Sequence, residues 1–248
     1  MTAIKITTLA ERPELAGRLW DMDDPWPAFA GHDSVGWLLY PRMVSELAEY
    51  VLVATDGDTV VARGFSVPFA LHARGSGTLP ARGWDQVLLW AFSDLRRGVA
   101  PDTVSAIEIT VAPDRQGEGL SGLMLAAMRE NARARGFAEV VAPVRPSGKP
   151  AEPDTSIHEY AYRTREDGLP HDPWLRVHVR AGATIDSVAP LSMTISASLD
   201  DWREWTGLPF DRPGPVHVPG ALVPVRCEPE QGYAVYVEPN IWVRHALA

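Results

Sequence analysis

Ala106-Ile107-Glu108-Ile109-Thr110-Val111-Ala112-Pro113-Asp114-Arg115-Gln116-Gly117-Glu118-Gly119-Leu120-Ser121-Gly122-Leu123-Met124 reads as a strand, a glycine turn and the opening of a helix. Such a turn offers backbone N–H groups to an anion, because the first turn of a helix has unpaired donors and the positive end of the macrodipole. A phosphate group suits it. Gly117, Gly119 and Gly122 also spell the spacing of a dinucleotide fingerprint, which needs its strand to run almost into the first glycine and an acid roughly 20 residues on. Neither condition is met. Pro113-Asp114-Arg115-Gln116 separates strand from glycine, and Glu139 opens the following strand Val140-Val141-Ala142 instead of closing it. A nicotinamide or flavin site is therefore set aside.

The pattern Val111-x-Pro113-x-x-Gln116-Gly117-x-Gly119-Leu120-Ser121 followed by an amphipathic stretch resembles the acyl-CoA-binding motif of the GNAT superfamily of N-acyltransferases. That motif runs Arg or Gln, two residues, Gly, one residue, then Gly or Ala. Gln116 and Gly119 match and Ser121 departs, although serine is small and keeps its N–H. The resemblance implies that the main chain of Gln116, Gly117, Glu118, Gly119, Leu120, Ser121 and Gly122 holds the CoA pyrophosphate. It also implies that Ile109, Thr110 and Val111 pair through their backbone with the pantetheine arm, where the strand splays from its neighbour. Acetyl-CoA or another acyl-CoA is then the co-substrate.

Composition bounds the remainder. At 248 residues and 46% hydrophobic, with nine Trp, the chain can bury a sizeable core, and no apolar run approaches the ~20 residues of a membrane span. A net charge of -9 argues against a nucleic-acid binder, which needs a basic footprint. The first residues, Met1-Thr2-Ala3-Ile4-Lys5, lack a signal-peptide layout, and Cys227 has no partner for an internal disulfide, which points to the cytoplasm. The single Cys and the scattered His residues provide no metal spacing, so no metal is expected.

Along the chain, Lys5 to Leu9 reads as a strand, Pro13 to Trp20 and Trp37 to Tyr50 as helices, and 50–54 with 59–69 as a hairpin turned by Asp56-Gly57. Two segments look inserted. One, about 72–103, carries a helical stripe at Trp84, Val87, Leu88, Ala91 and Leu95; the other, about 143–171, contains a short helix at 157–163 and is either a lid or a surface excursion. Asp172 as N-cap, Pro173 at the first position and Gly182 past the end bound a helix over 173–181. Strands follow at 184–188 and 191–197, and a hairpin between 221 and 243. The expected fold is α/β (α+β): a GNAT-like mixed, mostly antiparallel central sheet flanked by helices, with helical insertions and an extra C-terminal hairpin. Residues 1–198 form the acyl-CoA-binding domain, and 199–248 are an extension packed on it.

Transfer from a thioester to an amine needs a cofactor cradle, a donor for the oxyanion, a base for the ammonium and an acid for the departing thiolate. Glu108 shares a strand face with Thr110, opposite Ile107, Ile109 and Val111, in surroundings that would raise its pKa and make it a base. Its plainer role is structural pairing with an arginine. His178 holds the position, four before Gly182, where the family commonly has a tyrosine acid. Helical spacing turns it inward with Trp174, Val177 and Ala181. As an imidazolium it could protonate a thiolate; as a core residue it would be hydrogen-bonded. His158, Glu159, Tyr160, His171 and Asp172 are weaker candidates. The loop at Asp21, Asp23 and Asp24 could draw an ammonium, and Trp26, Phe29, Trp37 and Tyr40 either wall a pocket or fill the core.

The reading is an N-acyltransferase that moves an acetyl or other short acyl group from acyl-CoA to a small-molecule amine by direct attack. No nucleic acid or membrane partner is expected, and a homodimer is left open. The alternatives are a non-catalytic acyl-CoA sensor or scaffold, and acyl exchange with a carrier protein.

Overall fold

The computed structural model describes residues 4–23 and 25–247. Nine strands form one sheet among these residues: β1 (Lys5–Thr8), β2 (Val51–Asp56), β3 (Thr59–Phe69), β4 (Thr103–Val111), β5 (Glu139–Val144), β6 (Thr184–Ser198), β7 (Gly214–Val216), β8 (Val225–Glu228) and β9 (Tyr233–Ala246). The order is β1-β2-β3-β4-β5-β9-β8-β7, and β6 pairs with the other edge of β9. Among them only β4 and β5 run parallel, a pairing that requires a crossover connection. Six α-helices pack around it: α1 (Ser34–Glu46), α2 (Gly83–Arg97), α3 (Leu120–Ala134), α4 (Ile157–Ala161), α5 (Pro173–Arg180) and α6 (Leu199–Thr206). This is the expected mixed, mostly antiparallel sheet.

Alternation along β3 sets the two faces. Phe65 packs edge-on against Tyr40 of α1, whereas Gly64, one residue earlier, points at α3, where a Cβ would stand 3.1 Å from Met124 Cε. The bare glycine lets α3 settle close to the sheet. Leu120, Met124, Leu125 and Met128 are buried there, each burial stabilising by roughly 1.5–3 kcal/mol. On the α1 face, Gly36 lies so near the Trp84 ring that a Cβ would fall 2.9 Å from it. Asp33 caps α1 by accepting from Gly36 N–H at 2.6 Å.

Four expectations change. Pro13–Trp20 is a 3-10 helix, and the second helix ends at Glu46, with a 3-10 turn over Ala48–Tyr50 completing the run. The two strands expected after α5 are one, β6, whose register shifts between Ala189 and Met193. Pro190 sits in that gap; lacking an N–H, it interrupts the ladder without ending the strand. On β4, the register to β3 slips so that Phe65 faces Glu108 and Ser66 faces Ala106, leaving Ile107 as the extra residue. Strict alternation of 107, 109 and 111 away from Glu108 therefore fails.

The segment 199–248, expected as an extension, puts β9 inside the sheet. β6 lies along one edge of β9, with β5 against 241–246 and β8 against 233–235 on the other. Flanked on both edges and nearly buried from Glu238 to Val243, β9 is an interior strand. The rest of the tail builds a second core cluster around Trp202, Phe210 and Tyr236, which also takes in Phe29.

Candidate active site

Two features meet at the carboxyl end of β4. After Val111 the chain makes a 3-10 turn over Pro113–Arg115, and Gly117 (φ 85) and Gly119 (φ 82) then take the left-handed backbone that favours glycine. Gly119 caps α3 without a side-chain bond; Gly122 and Leu123 N–H donate to its carbonyl at 3.1 and 3.2 Å, which leaves Leu120 and Ser121 N–H without a side-chain cap, and Gln116 to Gly119 are exposed. Glu118 does not point its charge into the turn: Arg115 holds it at 3.0 Å and also reaches Asp56 at 3.1 Å. Beside this turn the sheet opens. β4 and β5 pair only at Val104 with Val140 and Ser105 with Val141, and beyond these the strands carrying Ile109, Thr110 and Val111 on one side and Val144 on the other part company. An anion cradle therefore stands over a split between strands.

On the α1 face of that split is a cavity of about 640 Å³, lined by Trp20, Trp26, Trp37, Tyr40 and Trp84 and by the charged side chains Asp33, Arg63, Glu108, Arg145 and Glu238. Of the aromatic residues singled out in the sequence, Trp26, Trp37 and Tyr40 wall this cavity and Phe29 fills the core. Asp21 and Asp23 are exposed and do not line it, and Asp24 lies outside the described residues.

Glu108 is the centre of a hydrogen-bonded group. Its Oε1 accepts from Arg63 Nε at 2.9 Å and from Thr110 Oγ1–H at 2.8 Å; its Oε2 accepts from the Tyr40 hydroxyl at 2.5 Å. The surroundings are thus ionic and hydrogen-bonded, not the apolar setting expected for it. Thr110 in turn accepts from Trp26 Nε1–H at 2.9 Å. Burial, and then the negative charge of Glu108, push the Tyr40 phenol well above its ordinary value, so it stays a donor. A carboxylate has about four acceptor positions, and three donors occupy them here. The remaining one is on Oε2.

Arg63 and the Tyr40 hydroxyl were not singled out in the sequence. Arg63 left a signal: a charged residue in the run Val60-Val61-Ala62-Arg63-Gly64-Phe65, which is 4% exposed in the fold and further bonded to Leu19 O at 2.9 Å. A buried arginine needs an acid, and Glu108 is one that the fold brings to it.

His178 is on the other face. It is buried on α5, with its Nδ1 3.0 Å from Nε2 of His245 on β9 and its ring edge-on to Trp174. His245 lies opposite Val140, which lies opposite Val104, so the histidine pair marks the root of the split. Burial, then the neighbouring His245, bring the His178 pKa down to about 3, and burial brings His245 to about 4. Both rings are neutral at pH 7. The imidazolium expected at His178 is not the form this site favours, because a charge there would lose its hydration without gaining an anion. The structure does not bring Glu108 and His178 together; they approach the split from opposite faces.

The weaker candidates stay outside. The Tyr160 hydroxyl donates to Asp172 at 3.0 Å, Asp172 caps α5 through Trp174 and Leu175 N–H, and His158 and His171 are exposed. Among the described residues, no group of three or more His, Cys, Asp or Glu could hold a metal ion, and no helix is long and apolar enough to cross a membrane.

No family model matches the chain. It is 31% identical to the arginine N-acetyltransferase avaD of Aspergillus versicolor, over 98% of this chain and 93% of that protein. Among solved structures, its fold is similar to the loading GNATL domain of CurA from Lyngbya majuscula, with a TM-score of 0.60 at 16% identity over 99% of this chain and 98% of that one. It is also similar to the GphF GNAT-like decarboxylase in complex with isobutyryl-CoA, with a TM-score of 0.53 at 17% identity over 99% and 100% of the two chains. With the glycine turn over a parted pair of strands and a full-length acetyltransferase relative, the chain belongs to the GNAT superfamily and is an N-acyltransferase.

Proposed function

We propose that the protein transfers an acetyl or other short acyl group from acyl-CoA to the amine of a small cationic acceptor, by direct attack on the thioester. The main chain from Gln116 to Gly122 would hold the pyrophosphate, and the backbone of Ile109, Thr110 and Val111 would pair with the pantetheine arm in the split. The acceptor would enter the cavity on the α1 face. The relative's substrate, arginine, fits that cavity in kind, since an aromatic wall and three carboxylates against two guanidiniums leave an excess of negative charge.

The observation that carries this reading is the open acceptor position on Glu108 Oε2, at the cavity wall and on the part of β4 that lies beyond its last pairing with β5. An ammonium N–H can bond there, and its proton passes to the carboxylate, directly or through the Tyr40 hydroxyl, as the nitrogen attacks the carbonyl carbon. The tetrahedral intermediate then breaks its C–S bond as the second proton of the attacking nitrogen passes to the departing sulfur, directly or through water, which gives the amide and free CoA thiol. Tyr40, Arg63 and Thr110 keep Glu108 aimed, and main-chain N–H groups of β4 that face the split would bind the oxyanion. His178 enters as a neutral N–H donor to the departing sulfur, a weaker role than that of an imidazolium.

The test incubates the protein with acetyl-CoA and an amine panel while free thiol is followed. Thiol release that depends on a cationic amine supports the reading. CoA binding without release under any amine contradicts it and leaves the sensor alternative.

A further inference from the structure

The cavity has a second acidic end that the transfer chemistry leaves unused. Asp33 sits at the N-cap of α1, 3% exposed, and lines the cavity. Its Oδ2 is occupied by Gly36 N–H at 2.6 Å, whereas its Oδ1 is buried without a hydrogen-bond partner. Burial raises the Asp33 pKa against the helix-start N–H groups of Gly36 and Val35 that lower it. A buried carboxylate oxygen with nothing to accept from is a cost that structures usually avoid.

Two further carboxylates bear on the same place. Asp85 on α2 is 2% exposed, and its Oδ1 also lacks a partner; burial, and then the charge of Asp33, push its pKa up to about 8. Glu238 on β9 adds to that push. Arg82 acts on Asp85 from outside the cavity lining, and the guanidinium that lines this end is already committed: Arg145 bonds Glu238 at 2.9 Å and Gly220 O at 2.5 Å, and lies over the Trp26 ring. It satisfies Glu238 and leaves Asp33 without a cation. The other arginine of the cavity, Arg63, is held by Glu108 and by Leu19 O.

We propose that Asp33 Oδ1 is the seat of a second cationic group on the acceptor, a guanidinium or ammonium distinct from the amine that is acylated. The inference rests on the acceptor lying in this cavity, as proposed above. An N–H donor with a full positive charge satisfies the orphaned oxygen and offsets the charge of the Asp33 carboxylate; a guanidinium does so with several donors in a fixed plane. The Glu108 end would then face the reacting amine, and the Asp33 end would select di-cationic acceptors over mono-amines of the same length. Asp33 is a specificity-determining residue in this account, not a catalytic one.

Asp33→Asn is the test, because asparagine caps a helix about as well as aspartate and so keeps α1 in place. Arginine, agmatine and citrulline, whose urea replaces the guanidinium without charge, are titrated into the native protein and the variant by calorimetry with CoA present, and the same three are run as acceptors with acetyl-CoA. The native protein is expected to favour arginine and agmatine over citrulline, and Asp33→Asn to cut that ratio about tenfold or more, in Kd and in kcat/KM, while the melting temperature holds. A native protein indifferent to the guanidinium, or a preference that survives in Asp33→Asn, overturns the proposal. Absence of turnover with preserved, Asp33-dependent binding would instead contradict the transfer reaction and leave this site standing. Asp85→Asn, which leaves the cap untouched and replaces a group held mostly protonated at pH 7, is expected to leave the same ratio within about twofold, and a loss as large as that of Asp33→Asn would overturn the assignment to Asp33.

Discussion

The two titratable centres beside the split of β4 and β5 are both buried, yet they differ in what surrounds them. Glu108 has an arginine, a tyrosine and a threonine on its two oxygens and a cavity beside it, so a charge there is matched and reachable. His178 has another histidine and a tryptophan edge, and no anion. Burial alone therefore predicts nothing about function. The partners decide whether a buried group can take a proton from a substrate or stays neutral and offers at most an N–H.

That contrast can be broken by mutation. Glu108→Gln keeps the shape and removes the base, and is expected to slow acetyl transfer by about 10²–10⁴-fold with CoA affinity retained; a rate within twofold of native would end the assignment. His178→Phe, by contrast, should slow it only about tenfold, the effect of a single lost hydrogen bond to the leaving group. Next is Arg63→Met, which strips the cation from a pair that is 4% and 8% exposed at its side chains. Its expected cost is about 3–5 kcal/mol in chemical denaturation, and a loss below 1 kcal/mol would show that Glu108 does not depend on it.

The histidines should show themselves in the pH dependence of stability. An unfolded histidine takes its proton near 6.5, whereas in the fold His178 waits until about 3 and His245 until about 4. Their contribution is therefore whole above about pH 6.5 and is lost as the pH falls toward those values, at about 1.4 kcal/mol per unit for each ring. Removing His178 should flatten this acid limb between about pH 6.5 and 4, and an unchanged slope would contradict the neutral pair. Asp85 works in the opposite sense. Its raised pKa stabilises the fold at low pH, and that share fades as the pH climbs toward about 8. Smallest is Thr110→Val, which deletes one donor to Glu108 and the acceptor of the Trp26 indole. With Trp26 partly open to water, a loss of about 1 kcal/mol is expected, read by the same denaturation.

Much of this was legible along the chain because it is local. The glycine turn needs positive φ at Gly117 and Gly119, Asp172 needs only the next three residues to cap α5, and the stripe of α2 follows its own period. The N-cap at Asp33 is just as local, although the residue drew no attention as a ligand. What escaped depends on residues far apart. β9 reads as an outer hairpin strand until β5 and β6 claim its edges, and Pro190 divides one strand into an apparent two. The bulge at Ile107 arises from pairing with β3. The Glu108 partners come from α1 and β3, 68 and 45 residues away, so alternation could place the carboxylate on a face but could not foresee its donors. His178 was correctly turned inward by its helix, and only the arrival of His245, 67 residues later, fixes its charge.

The central claim is that acyl-CoA threads the split, with its pyrophosphate on the turn over 116–122 and its thioester toward the cavity that holds Glu108. A crystal structure of the protein with acetyl-CoA tests it most directly. The phosphates are expected within hydrogen-bond distance of main-chain N–H groups at the start of α3, and the pantetheine between β4 and β5 with the acetyl group opening onto the α1 face. A cofactor bound away from that turn, or an acetyl group shut off from the Glu108 cavity, would contradict it.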